Sequence, residues 1–274
     1  MPYSKYLESR NPGLIVFLID QSGSMQDNYS SGGVLKSKSH GVVNAVNFLM
    51  HNIMLMNQNG HTFKDRVYFS VIGYGDKTGT AFQGNLKGKE YVSISEFADS
   101  PIRYITEKMN GKDTEFPIWF EPVANGGTPM CHAFVKAQEI ISKWIQNHPD
   151  SFPPIVFNIT DGESTDGNPS TNMKNIKSLH TSDGNVLLYN LHISGNPDAV
   201  PVSFPDKLNG HSDEYSIMLF ENASLLPPFA IDIGNKEYKM NLTQNSKGFV
   251  LNAPYKLLIT ALNIGSSIVE YNMR

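Results

Sequence analysis

Asp20, Ser22 and Ser24 stand at alternate positions, and each side chain ends in a hard oxygen atom. An i, i+2, i+4 spacing in a tight turn can aim three such oxygens at one point. Hard oxygen donors suit Mg²⁺, with Ca²⁺ or Mn²⁺ as alternatives, and not Zn²⁺ or copper. Two further positions offer the same chemistry. Thr128 follows Gly126-Gly127, which lets the backbone approach closely, and Asp161 lies in Thr160-Asp161-Gly162. The full set is two carboxylates and three hydroxyls. Its two formal negative charges match one divalent cation, so the filled site is close to neutral and can keep a coordination position open for an incoming carboxylate.

These residues need elements that bring them to one place. Leu14-Ile15-Val16-Phe17-Leu18-Ile19 is short, apolar and β-branched, and Pro12-Gly13 and Gly23 bound it. It reads as a buried strand, central in a parallel sheet, with Asp20 at the carboxyl end where open α/β sheets place ligands. The run Pro154 to Thr160 repeats the pattern and delivers Asp161. Further strands are expected at Arg66–Tyr74 and Asn185–Ile193. Helices are expected at about Val34–Asn57, from Thr128 as N-cap to about Asn147, at about 170–182, near Asp213–Glu221 before a Pro227-Pro228 stop, and at about Ala253–Leu262. The core stripe of the Asn147 helix is Phe134, Ala137, Ile140, Ile141 and Trp144. Strand and helix alternate from Leu14 to Ile193, which predicts a Rossmann-like, doubly wound α/β fold with a mostly parallel sheet. One domain spans 1–274, with a motif-bearing core at 13–195 and a helical completion at 196–274. Residues 76–125 form an elaborated insertion with a hairpin, a short helix near Ser95–Ala98 and an edge strand or exposed loop at Phe116–Pro122.

Bulk properties narrow the function. The chain has 274 residues and a net charge of −4, so it lacks the basic excess a nucleic-acid binder needs. Its one cysteine excludes an internal disulfide and a cysteine-rich zinc site. No signal peptide or membrane-spanning run is legible, so a soluble cytoplasmic protein is expected. The triplet Asn158-Ile159-Thr160 falls in a predicted buried strand and reads as a product of Asn-rich composition, not as a glycosylation site.

Neighbouring residues have plainer readings. Glu163 and Asp166 read as a solvated rim. Cys131 lacks an evident activating base and reads as a buried helix cysteine, His132 as packing near the site mouth, and His192 as a core histidine. Phe116, Trp119 and Phe120 are either ordinary packing or part of a partner surface. Gln21, Met25, Gly127, Glu163 and Trp119 are the candidates for partner contact.

Asp20-x-Ser22-x-Ser24, Thr128 after Gly-Gly, and Asp161 in Thr-Asp-Gly together resemble the metal-ion-dependent adhesion site of von Willebrand factor A domains. The resemblance covers roughly 13–195. It implies a Rossmann-like fold in which Asp20, Ser22, Ser24, Thr128 and Asp161 bind Mg²⁺ directly or through water. It also implies a partner protein whose Asp or Glu completes the coordination. Thr-Asp-Gly-Glu and Gly-Gly-Thr-Pro-Met further resemble the bacterial intracellular TerY-like branch of tellurite-resistance and stress-response operons. Proteins of that branch are associated with kinases, phosphatases or AAA+ ATPases. The chain departs from the pattern by its long 76–125 segment and by lacking a cysteine-rich module.

An enzyme is the main rival. A Mg²⁺-dependent, phosphatase-like phosphoryl-transfer mechanism wants a second acid two residues after the nucleophilic Asp, and that position is Ser22. Gly-x-Ser-x-Gly and the nucleotide-binding glycine motifs are absent where they would be needed. The expected function is therefore non-catalytic, metal-dependent protein binding. A purely structural metal is the third reading.

Overall fold

The structure, a computed structural model, describes residues 2–31, 34–109, 112–196, 198–208 and 213–271. The strand β1 (Gly13–Asp20) is buried along its whole length, as its continuous apolar run demands. Ile15, Phe17 and Ile19 join the core on one face, while Leu14, Val16 and Leu18 join the core on the other. Alternate side chains of a strand point to opposite faces, so a strand apolar on both must sit between two helical layers.

Those layers are present. With β2 (Val67–Tyr74), β3 (Thr78–Thr80), β4 (Val92–Ser93), β5 (Ile155–Thr160), β6 (Leu187–Ile193), β7 (Val202–Ser203) and β8 (Phe249–Ala253), β1 forms an eight-stranded sheet among the described residues. Its order is β7-β8-β6-β5-β1-β2-β3, with β4 also paired to β2. The contacts β2–β1, β1–β5, β5–β6 and β6–β8 are parallel; the short edge strands pair antiparallel. The helices α1 (Lys38–Met56), α6 (Pro228–Lys236) and α7 (Tyr255–Ser266), with the short α2 (Ile94–Ala98) and α8 (Ile268–Tyr271), cover one face. Three helices, α3 (Met130–Asn147), α4 (Ser170–Ser178) and α5 (Glu214–Asn222), cover the other. This is the doubly wound α/β fold expected from the sequence. The stripe Phe134, Ala137, Ile140, Ile141 and Trp144 is fully buried, each such side chain contributing roughly 1.5–3 kcal/mol when large.

Chain order decides where a ligand can sit. From β1 the chain reaches β2 on one side, then returns past β1 to place β5 on the other. Connections leave in opposite directions at that point, so a crevice opens between the carboxyl ends of β1 and β5. Asp20 and Thr160 are the last residues of those two strands.

Beneath the crevice runs a buried polar ladder. Tyr74 Oη donates to Asn158 Oδ1 (2.9 Å), Asn158 Nδ2 to Asn190 Oδ1 (3.1 Å), and Asn190 Nδ2 to the Leu219 carbonyl (2.8 Å). Asn158 and Asn190 are fully buried, which excludes the 158–160 triplet as a surface acceptor in the folded chain. A satisfied ladder of this kind fixes strand register more firmly than apolar packing alone.

Several boundaries differ from the expectation. The 34–57 helix begins at Lys38, because Asn28–Ser31 and Val34–Ser37 pair as a hairpin and Ser37 caps the helix through the His40 N–H. The expected 21–33 loop is thus partly strand, and Gly32 and Gly33 lie outside the described residues. The 170–182 helix stops at Ser178, where a two-residue hairpin takes over. Pro228 does not stop structure: it opens α6 at the first helical position, where its missing N–H costs nothing. Phe249–Ala253, missed by periodicity because it is short, is the strand β8. In 76–125 the short helix is where it was expected, with a Ser93/Glu96 capping box. Residues Arg103–Met109 and Lys112–Ile118 form a separate hairpin, not an edge of the main sheet.

Candidate metal-binding site

Three loops meet at the crevice, and backbone hydrogen bonds lock them together. Gln21 N–H donates to the Tyr74 carbonyl (2.8 Å), Asn125 N–H to the Gln21 carbonyl (2.7 Å), Asp76 N–H to the Asn125 carbonyl (2.8 Å) and Gly23 N–H to the Gly126 carbonyl (3.0 Å). Glycine is required at two of these positions. A Cβ on Gly75 would lie 2.6 Å from the carbonyl oxygens of Asn125 and Gln21, and Gly126, at φ +86°, would put one 2.4 Å from the Asp76 nitrogen. The 76–125 insertion therefore returns its chain directly to the site.

Asp20 is fully buried. Oδ1 accepts from the Ser22 N–H (2.8 Å) and Oδ2 from the Thr160 hydroxyl (2.7 Å). Burial raises its carboxyl pKa to about 6, the Ser22 and Thr160 hydrogen bonds oppose that rise, and the Asp161 charge adds to it. From Ser22 the contacts continue outward: Ser22 Oγ lies 3.0 Å from Ser24 Oγ, and Ser24 Oγ donates to Asp161 Oδ1 (2.8 Å). Asp20, Ser22, Ser24 and Asp161 thus form one connected set.

Asp161 is neutralised differently. Its side chain is fully covered, and its Oδ2 accepts from Lys38 Nζ at 2.8 Å. The same ammonium donates to Asp27 Oδ2 (3.2 Å) and approaches the Ser24 carbonyl at 3.5 Å. Burial alone would lower the Lys38 pKa, but Asp161 and Asp27 outweigh it and hold the ammonium above its ordinary value.

Thr128 is buried, and its own hydrogen bonds go to Thr165 and Met130, not to a member of that set. Its N–H donates to Thr165 Oγ1 (2.9 Å), its carbonyl accepts from the Thr165 N–H (2.9 Å), and Gly126 ties the same loop to Gly23. It does not cap α3 as expected. Pro129 occupies the N-cap, and Asp166 supplies the cap from another loop, its oxygens accepting from the N–H groups of Cys131 (2.9 Å) and His132 (3.0 Å). Asp166 is thus a helix cap, not a solvated rim. Burial would raise its pKa, yet those two N–H groups and the Ser164 hydroxyl hold it below the ordinary carboxylate value. Burial raises the Cys131 thiol, so it is not an activated nucleophile. His192 is a satisfied histidine: its Nδ1 accepts from the Asn252 N–H (3.2 Å), and burial lowers its pKa.

Of the partner-contact candidates, Gly127 and Glu163 are exposed and Gln21 is half-buried. Met25 and Trp119 are not available. Met25 is fully buried beside β1, and Trp119 stacks on Phe97 with ring centroids 3.7 Å apart while its indole N–H donates to the Phe97 carbonyl. Phe116 and Phe120 are buried too, so the aromatic cluster is packing.

Two residues of the site escaped the sequence reading. Thr160 was visible in principle, since Ile19 pairs with Ile159 and the next residue of β5 therefore flanks Asp20. Lys38 carried a subtler signal. A lysine in the first turn of a helix opposes the helix dipole and needs nearby acids to explain it.

Among the described residues, no group of three or more His, Cys, Asp and Glu side chains is arranged for a metal. A cation at the crevice must therefore rely on hydroxyls beside two carboxylates. A cavity of about 780 Å³, lined by Tyr3, Val186, Leu226 and Phe229, lies toward the amino end of β6, away from this crevice. No helix among the described residues is long and apolar enough to cross a membrane.

No family model matches the chain, and no curated protein matches it. Solved structures do. Proximal thread matrix protein 1 from the mussel byssus is similar over 95% of this chain and 49% of its own, with 16% identity and a TM-score of 0.51. That likeness concerns the fold alone, and this chain spans about half of that protein. A von Willebrand factor type A protein from Catenulispora acidiphila matches 67% of this chain and 33% of its own at 17% identity and a TM-score of 0.37. The ArnB paralog VWA2 from Sulfolobus acidocaldarius matches 97% and 45% at 13% identity and a TM-score of 0.42. The last two scores are too low to support more than the statement of likeness.

Proposed function

We propose that the chain is a single, non-catalytic binding domain of the von Willebrand factor A type. In this reading it captures a partner protein's Asp or Glu at a divalent cation held by Asp20, Ser22, Ser24, Thr128 and Asp161. One observation carries the proposal: hydrogen bonds link Asp20, Ser22, Ser24 and Asp161 in series at the topological switch point, from the Ser22 N–H on Asp20 through the two serine hydroxyls to Asp161. Their donor set fits Mg²⁺, being all hard oxygen, with two carboxylates to balance two charges. When bound, the cation would supply an electrophilic position for an incoming carboxylate.

The chain's own residues do the rest. Thr160 and the Ser22 N–H hold Asp20 in one orientation, and the interlocked loops fix the hydroxyls of Ser22 and Ser24 relative to it. Exposed Gly127 and Glu163 border the site and would meet the partner. Burial also argues against the phosphoryl-transfer rival. Asp20 is covered and both its oxygens are engaged, which suits a ligand better than an attacking nucleophile. The TerY-like assignment, with its stress-response setting, cytoplasmic location and kinase, phosphatase or AAA+ partner, is a finer proposal resting on the sequence wording around Thr128 and Asp161.

Titration calorimetry with Mg²⁺ and Mn²⁺ tests the site. Binding should be lost in Asp20→Ala and in Asp161→Ala while both retain their far-UV circular dichroism. A pulldown from the native organism in Mg²⁺ and in EDTA tests the partner. Retention of the same partner in EDTA and in both variants would sink carboxylate capture, and phosphatase turnover lost in Asp20→Asn would favour the enzyme.

A further inference from the structure

Lys38 sits at the first position of α1, where the helix dipole repels a cation, so something other than the helix holds it there. Its side chain is only 11% exposed, and its ammonium has three hydrogens and three oxygen neighbours: Asp161 Oδ2 (2.8 Å), Asp27 Oδ2 (3.2 Å) and the Ser24 carbonyl (3.5 Å). The two carboxylates differ in kind. Asp161 is a proposed metal ligand with a fully covered side chain, whereas the Asp27 side chain is 68% exposed at the rim.

Charge arithmetic then gives Lys38 a role. Asp20 and Asp161 together carry −2, which matches a divalent cation. With the ammonium on Asp161 that sum falls to −1. With the ammonium wholly on Asp27, the Lys38–Asp27 pair cancels and the full −2 returns to the site. We propose that Lys38 is a tethered cation that competes with the divalent ion for Asp161, and that metal binding moves its ammonium onto Asp27. The inference rests on the metal reading above and adds the residue that sets the site's affinity. It also couples occupancy to the hairpin of Asn28–Ser31 and Val34–Ser37, because Asp27 and Lys38 flank that hairpin and the Lys38 N–H donates to the Asp27 carbonyl (2.9 Å).

The test is Mn²⁺ affinity of the full chain, measured by electron paramagnetic resonance of free Mn²⁺. Wild type is compared with Lys38→Met, Lys38→Arg and Asp27→Asn, and Asp161→Ala serves as the site control. Removing a like charge from a partly buried site should tighten Mn²⁺ binding about tenfold in Lys38→Met. Lys38→Arg should not tighten it, and Asp27→Asn should weaken it several-fold, roughly in line with loss of one rim charge. Thermal unfolding should show Lys38→Met less stable than wild type in EDTA, yet gaining more from saturating Mn²⁺. If Lys38→Met does not fold, Lys38→Gln takes its place. Equal or weaker Mn²⁺ binding in the neutral variants, with Asp161 dependence intact, overturns the role of Lys38 alone. Silence toward Mn²⁺ in wild type and neutral variants alike overturns the metal reading as well.

Discussion

The loops after β1 and β5 each end a buried strand in an aspartate, and they handle that charge in opposite ways. Asp20 is surrounded by neutral donors, the Ser22 N–H and the Thr160 hydroxyl, and burial pushes its pKa to about 6. Asp161, equally covered at its side chain, faces the Lys38 ammonium. Hydrogen bonds from neutral groups orient a carboxylate without cancelling its charge, whereas an ion pair cancels it. One half of the site is therefore an uncompensated anion and the other a compensated one. On the metal reading proposed above, the first would attract a cation and the second would exchange one cation for another.

Opposite signs of effect would establish that difference. Asp161→Asn should destabilise the EDTA-treated protein most, by roughly 2–4 kcal/mol in urea denaturation, because it strands the covered Lys38 ammonium with the rim acid Asp27. An unchanged midpoint would show that the pair contributes nothing. Gly126→Ala should cost about 2 kcal/mol through its positive φ and the contact with Asp76, and should weaken Mn²⁺ binding without touching a ligand side chain. Retained stability and affinity would mean that the interlocked loops do not set the site.

Asp20→Asn should do the reverse of Asp161→Asn and stabilise the EDTA-treated protein at pH 7 by roughly 1–3 kcal/mol. The sign follows from proton linkage. A carboxyl whose native pKa is raised from 3.8 to about 6 binds more protons folded than unfolded, so stability falls as pH rises between those values and stays lower above them. The amide fits, since Thr160 Oγ1 can accept from it while donating to the Gly162 carbonyl at 2.9 Å. Destabilisation instead would put Asp20 among structurally compensated acids. The smallest effect belongs to Asp166, the cap of α3. Asp166→Asn should cost about 1 kcal/mol at neutral pH. Its native pKa is depressed, so that contribution is present above the unfolded value of 3.8 and is lost as pH falls further. Wild type and variant should therefore converge in acid; a gap that persists there would assign the difference to shape, not charge.

The legible parts of the molecule were those where one residue type had one physical use. Leu14–Ile19 is apolar on both faces and Ile155–Ile159 is so except at Asn158, and only a covered parallel sheet accommodates that, so strand position and the location of Asp20 and Asp161 followed directly. Residues with two uses misled. Pro228 ends helices and also begins them, and only tertiary packing of Phe229 and Ala230 chose the second. Trp119 could anchor a partner or a core, and the facing Phe97 decided it. Thr128 and Asp166 could each cap α3, and the choice depended on how the 162–169 loop folds back. Lys38 was missed because the helix was expected to start at Val34, which hid its first-turn place, and because its partner Asp161 is brought near by the sheet and not by the sequence.

Asn158 has a consequence for making the protein. Its amide is spent on Tyr74 and Asn190, so an acceptor triplet that can be read only in an extended chain is consumed by folding. In a secretory host the polypeptide would race its own modification, and a glycan added first would hold β5 out of the sheet. Thr160→Val would silence the triplet, but it would also take the hydroxyl from Asp20, so the remedy for expression and the integrity of the site compete for one oxygen atom.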